Sequence, residues 1–254
     1  MKRLKQIADS LIALGVGGLL GALIFYGNWK TIDIPPTLEL QERTSVSSYL
    51  SPVDERAVIA SRQSAVRVFS VAGEAGELGS STGTYVKVEK RFFVITVMHG
   101  ILGGCEVTKV WTEEGGFVDC VQFMELNTHV DYAIIEVVEI PHLTPVRLPN
   151  SVPKGAAWSE VLAPQTPVYY TGYPNNTGPL TLDGRIIGYS DEGYIYMHSY
   201  AWGGSSGSGV FAADGKFIGY ILAIDVGQTA FGISVLEDIV IVVPAFNINW
   251  STIL

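Results

Sequence analysis

Cysteine, histidine and basic charge are all scarce in this chain, and each scarcity narrows the functions open to it. Two cysteines and four histidines, with no CxxC or HxxxH-type spacing among them, leave no expected metal site. Sixteen Lys and Arg against 25 Asp and Glu give a formal net charge of −9. Nucleic-acid affinity depends on neutralising phosphates with basic side chains, so no nucleic-acid partner is expected. Long helical periods are few, and internal repeats and low-complexity tracts are missing. Cys105 and Cys120 flank a predicted hairpin whose turn is Glu113-Glu114-Gly115-Gly116. Two buried free thiols are their expected state, with a disulfide as the alternative.

One long apolar run is present. Met1-Lys2-Arg3-Leu4-Lys5 is basic, and Leu11 to Tyr26 carries no charge. The run is near the lower limit for a helix that spans a bilayer, and its basic flank predicts a cytoplasmic N-terminus. A cleaved signal peptide is the alternative, but no Ala-x-Ala site follows the run, which favours an uncleaved anchor. Residues 1–30 are therefore read as a basic stub and transmembrane anchor, with membrane contact through residues 11–27. Gly17 and Gly21 fit a helix-pairing face, a weak signal in so glycine-rich a segment. Residues 31–56, with Pro35-Pro36 and Pro52, read as a stalk.

From residue 57 to 254 the pattern changes to short β-branched and aromatic runs between glycine-rich turns. Ala65–Val71, Thr84–Val88, Phe92–Val97, Glu106–Trp111, Phe117–Phe123, Tyr132–Val138 and Tyr194–His198 are predicted strands, an antiparallel-barrel composition. Ile233–Val243 reads as a last strand with a short helix after it. Some 190 to 200 residues suffice for one all-β domain with a sizeable core, by roughly the usual size scaling.

Chemistry concentrates at Gly204-Ser205-Ser206-Gly207-Ser208-Gly209-Val210, a small-residue turn with serine at its centre. A serine hydroxyl is a poor nucleophile unless a base takes its proton and a further group orients that base. Thr96-Val97-Met98-His99-Gly100 ends an apolar run on a histidine, and Asp131 heads another apolar run at Tyr132-Ala133-Ile134-Ile135. His129 competes with His99 but reads as a loop histidine; Ser205 and Ser208 compete with Ser206. Gly204 and Gly207, two before and one after Ser206, select the middle serine.

In this order, and with these surroundings, the residues resemble the trypsin-like serine peptidases, particularly the compact bacterial branch that includes the HtrA/Deg proteases. Val168-Tyr169-Tyr170-Thr171-Gly172-Tyr173-Pro174, Leu182-Asp183-Gly184-Arg185-Ile186-Ile187-Gly188 and Lys216-Phe217-Ile218-Gly219-Tyr220 extend the likeness over about residues 57 to 245. The resemblance implies two six-stranded antiparallel β-barrels of the chymotrypsin type behind the membrane helix, and too few residues follow them for a PDZ module. It also implies a serine endopeptidase acting on protein or peptide substrates through His99, Asp131 and Ser206, with an oxyanion hole from the N–H groups of Gly204 and Ser206. No cofactor is needed for that chemistry.

By the same resemblance His198 and Tyr200 lie on the segment leading into the primary specificity pocket, and Ile221, Leu222 and Ala223 form its later wall. Tyr200 stands six positions before Ser206, where trypsin-type enzymes carry an acidic selector, so cleavage after apolar or small residues is expected. Ser208-Gly209 and Met98 depart from the family's usual residues without removing a catalytic group. The expected location is a single-pass membrane protein with its protease domain on the extracytoplasmic side. A viral polyprotein-processing protease of this fold and a catalytically silent peptide-binding module are the alternatives.

Overall fold

The computed structural model describes residues 52–72, 76–229 and 232–254. The membrane helix expected over residues 11–27, and the stalk before Pro52, lie outside the described residues. Among those described, no helix is long and apolar enough to cross a membrane.

The first element is a helix, α1 (Pro52–Ser64), whose first turns fall within the expected stalk. Pro52 occupies the first turn, where its missing N–H costs nothing, Asp54 and Glu55 sit at the positive end, and Arg62 at the negative end. The proline that reads as a linker mark in the sequence thus starts a helix. Ala57 and Val58 are buried. Ser61 Oγ lies 2.9 Å from Thr171 Oγ1, and Arg62 donates to Thr181 Oγ1 at 2.8 Å.

A first barrel follows. Its strands are β1 (Ala65–Ala72), β2 (Glu77–Val88), β3 (Arg91–Val97), β4 (Thr108–Thr112), β5 (Gly116–Asn127) and β6 (Tyr132–Val137). They run in the order β1-β4-β5-β6-β3-β2, closed by antiparallel pairing of β2 with β1, and a two-residue β7 (Val146–Arg147) adds to β2 in parallel. After the short helix α2 (Ala157–Val161) come β8 (Pro167–Gly172), β9 (Leu180–Tyr189), β10 (Ile195–His198), β11 (Gly209–Ala212), β12 (Phe217–Thr229) and β13 (Gly232–Pro244). These form a second closed barrel, β10-β13-β12-β11-β8-β9, in which all pairings are antiparallel. Two short 3₁₀ turns, Ala245–Asn247 and Trp250–Thr252, follow β13 in place of the expected helix.

Three apolar clusters account for the alternation along the strands. Val66, Val68, Tyr85, Val94 and Ile135 fill the first barrel, and Val168, Tyr170, Ile186, Met197 and Val240 fill the second. The third cluster joins the two barrels: Phe93, Ile95, Val97, Tyr132 and Ile134 point out of the first barrel and meet Phe211, Phe217, Tyr220 and Val243 of the second. β3 is consequently buried on both faces, which is why it reads as a continuous apolar run rather than an alternating one.

Cys105 and Cys120 are joined by a disulfide, with Cα atoms 5.4 Å apart, which corrects the expectation of free thiols. Pairing of Lys109 with Asp119 brings Cys120 opposite the start of β4, and the 3₁₀ turn Cys105–Val107 folds the first cysteine back over it. The hairpin is legible in the sequence; the turn that completes the approach is not. With 15 residues separating the partners, chain entropy assigns the bridge about 3 kcal/mol. The paired replacement Cys105→Ser and Cys120→Ser is expected to lower the unfolding free energy by about that amount in a urea titration; an unchanged midpoint would show that the bridge contributes nothing.

Candidate active site

β3 ends at Val97, and the chain turns immediately into a 3₁₀ turn, Met98–Gly100, that presents His99 at the edge of the first barrel. Asp131 sits just before β6, which pairs with β3 through Val97 and Tyr132. Strand pairing therefore places the two residues side by side. Asp131 Oδ1 accepts the His99 backbone N–H at 2.8 Å, and Asp131 Oδ2 lies 2.5 Å from His99 Nδ1. One carboxylate thus fixes both the backbone and the ring of the histidine. With Nδ1–H donating to the carboxylate, the neutral ring keeps Nε2 as its acceptor.

The approach to Asp131 is held from several sides. Asn127 Oδ1 accepts the N–H groups of His129 and Val130 at 3.0 and 2.9 Å. The Val130 carbonyl accepts the Tyr220 hydroxyl from β12 at 2.7 Å. Burial, with the nearby Asp131 charge second, pushes the Tyr220 phenol far above its ordinary range, so it remains a donor at any physiological pH. Asp131 itself has φ 59°, a left-handed conformation that aspartate tolerates better than most side chains. His129 is exposed on this loop and does not line the cleft described below.

Across the barrel interface, the turn before β11 separates the three serines. Ser208 is fully buried and donates to the Ser205 carbonyl at 2.6 Å. Ser205 is buried and its Oγ accepts the Trp202 N–H at 3.3 Å. Ser206 Oγ makes no hydrogen bond among the described residues and lines a cleft of about 190 Å³ together with His99. Of the three, only Ser206 offers an unengaged hydroxyl beside the imidazole.

Glycine is required on both sides of it. Gly207 has φ 86°, and a Cβ there would stand 2.0 Å from the Thr82 carbonyl oxygen. Gly204 has φ 97°, and a Cβ would meet the Tyr173 carbonyl at 2.6 Å. The Gly203 carbonyl accepts Asn175 N–H at 2.7 Å, which turns the Gly204 N–H the opposite way across the trans peptide. Among the described residues, the N–H groups of Gly204 and Ser206 have no acceptor, the arrangement that can receive a developing oxyanion.

The cleft walls are Ala201, Trp202, Gly203, Ser205, Ile221, Leu222, Ala223 and Ile224. Ile221, Leu222 and Ala223 are where the sequence places them. His198 and Tyr200 are not in the lining: His198 is exposed at the end of β10, 3.9 Å from Asp238, and Tyr200 is 56 % exposed and stacked on Trp202. Beyond β10 the chain turns so that Ala201, 1 % exposed, takes the inward position. Ala201 and Trp202 stand beside Tyr200 in the sequence, but only the turn decides which of the three faces in. A larger apolar cavity of about 270 Å³, lined by Leu148, Val152, Trp158, Phe246 and Trp250 among others, contains none of the candidate site residues. Among the described residues no cluster of His, Cys, Asp and Glu could hold a metal ion.

Many solved structures share the fold. A serine endoprotease from Yersinia pestis matches with TM-score 0.60 and 17 % identity over 80 % of this chain and 68 % of that one. A protease from M. tuberculosis in its active form matches with TM-score 0.55 and 20 % identity over 77 % and 83 %. No curated protein sequence matches. A family model described as a trypsin-like peptidase domain matches residues 81–219, more than half of the chain, and the chain accordingly belongs to the trypsin-like serine peptidases.

Proposed function

We propose that this serine endopeptidase cuts its substrates through His99, Asp131 and Ser206. The observation that carries the assignment is the pairing of the Asp131 carboxylate with His99 Nδ1 while Ser206 presents an unengaged hydroxyl in the same cleft. Ser206 Oγ attacks the peptide carbonyl carbon as His99 Nε2 takes its proton, and the carbonyl oxygen becomes an oxyanion facing the N–H groups of Gly204 and Ser206. The intermediate collapses when His99 returns the proton to the leaving amine, which leaves an acyl ester on Ser206. Water, activated by the same imidazole, then releases the acid. Each oxyanion donor contributes about 10²- to 10³-fold in rate.

The cleft supports a preference for apolar or small side chains before the cut. Ala201, Ile221, Leu222, Ala223 and Ile224 supply apolar walls, and among the described residues no carboxylate lines the cleft to attract Lys or Arg. The strand carrying Ile221 to Ala223 is suited to pair with substrate backbone as an added strand. The protease domain is assigned to the extracytoplasmic side of a membrane, tethered through residues 11–27. The uncharged run with its basic flank supports the anchor, and the Cys105–Cys120 bridge supports an oxidising compartment.

Three outcomes are expected. Full-length protein reacts with a fluorophosphonate probe, and the label is lost in Ser206→Ala but kept in Ser208→Ala, while Asp131→Asn cuts peptide turnover by about 10⁴-fold; label retained by Ser206→Ala would overturn the assignment. A peptide library cleaved by the protein shows Ala, Val, Leu or similar residues before the cut, and a profile dominated by Lys or Arg would refute the reading of the cleft. Alkaline carbonate leaves the full chain in the membrane pellet but releases a chain lacking residues 1–30; release of both would remove the anchor.

A further inference from the structure

Thr82 stands on β2 of the first barrel, fully buried, and four hydrogen bonds tie it to segments that build the cleft. Its N–H donates to the Ser206 carbonyl at 2.9 Å, and its own carbonyl accepts Thr96 Oγ1, on the strand leading to His99, at 2.7 Å. Its hydroxyl donates to the Gly204 carbonyl at 2.7 Å and accepts the Tyr173 N–H at 2.9 Å. The hydroxyl's one proton is therefore committed to Gly204.

We propose that the Thr82 hydroxyl is a positioning group for acyl transfer, holding Gly204 so that its N–H and that of Ser206 stay aimed at the oxyanion. The inference rests on the assignment of Ser206 as nucleophile. Gly204 at φ 97° has no Cβ to confine it, so its geometry is set by what grips the peptides on either side. The preceding peptide is gripped by Asn175 N–H through the Gly203 carbonyl, and the following one by Thr82 through the Gly204 carbonyl. Of these two restraints only the second comes from a side chain. Without it, a part-buried carbonyl and a buried N–H lose their partner, and the turn relaxes until they find others. Displacements of about 1 Å in such a site cost about 10²-fold in rate. The backbone bonds of Thr82 to Ser206 and Thr96 do not depend on the side chain, so an isosteric replacement isolates the hydroxyl.

Thr82→Val and Thr82→Ser are compared with wild type in the full-length protein, by the rate constant for fluorophosphonate labelling, by kcat and KM on a peptide substrate, and by thermal midpoint. Thr82→Val is expected to lose about 10²-fold in labelling rate and in kcat with KM within about threefold, and Thr82→Ser, which keeps the hydroxyl, to recover to within about threefold of wild type. If Thr82→Val does not fold, Thr82→Cys, a weak donor of similar size, takes its place and is expected to lose about tenfold or more. A folded Thr82→Val that labels at the wild-type rate, or whose only loss is in KM or thermal midpoint, refutes the positioning role and leaves the protease assignment standing. Wild type without Ser206-dependent labelling refutes that assignment and the role of Thr82 with it.

Discussion

Phe93, Ile95 and Val97 leave the first barrel on its outer side and still meet no water, because Phe211, Phe217, Tyr220 and Val243 of the second barrel cover them. Complete burial of side chains this size is worth about 1.5 to 3 kcal/mol each, and packing at interior density admits little displacement. The seam between the barrels is therefore rigid. His99 and Asp131 stand on one side of it and Ser206 on the other, so this packing fixes how the turns that carry them face each other.

Each half of the site is also tied to the opposite barrel. Tyr220, from the second barrel, grips the carbonyl of Val130 next to Asp131. Thr82, from the first, grips the carbonyls of Gly204 and Ser206. A hydrogen bond buried in such a seam contributes about 1 kcal/mol net, but an orphaned partner costs about 1 to 3 kcal/mol. That asymmetry favours one docking geometry over its neighbours.

What the sequence reveals and what it hides divide along the same line. The six strands of the first barrel, β10 and β13 of the second, the small-residue turn around Ser206 and the histidine closing an apolar strand are local patterns, visible without knowledge of the partner. The meeting of His99 with Asp131 follows once β3 and β6 are neighbours. Thr82 is hidden because its work is done across the seam. The only local trace is Thr82-Gly83-Thr84, two hydroxyls on one buried strand face, Thr84 reaching Gly207 at 3.4 Å. The inward place of Ala201 rather than Tyr200 depends on how the chain turns after β10, where strand alternation no longer applies. α1 is masked in the sequence because its buried apolar residues are few, and a proline at a helix start looks like a proline in a linker.

The placement of α1 has a mechanical side. The helix precedes β1 in the chain, yet Ser61 and Arg62 fasten it to Thr171 and Thr181 of the second barrel before the chain enters the first. Tension applied to the chain upstream of Pro52 is met first by the helix lying against β8 and β9, and by the strands of the first barrel only after that helix has been stripped away. A pull from that side would therefore load the helix and the second barrel before it reached the seam between His99 and Ser206.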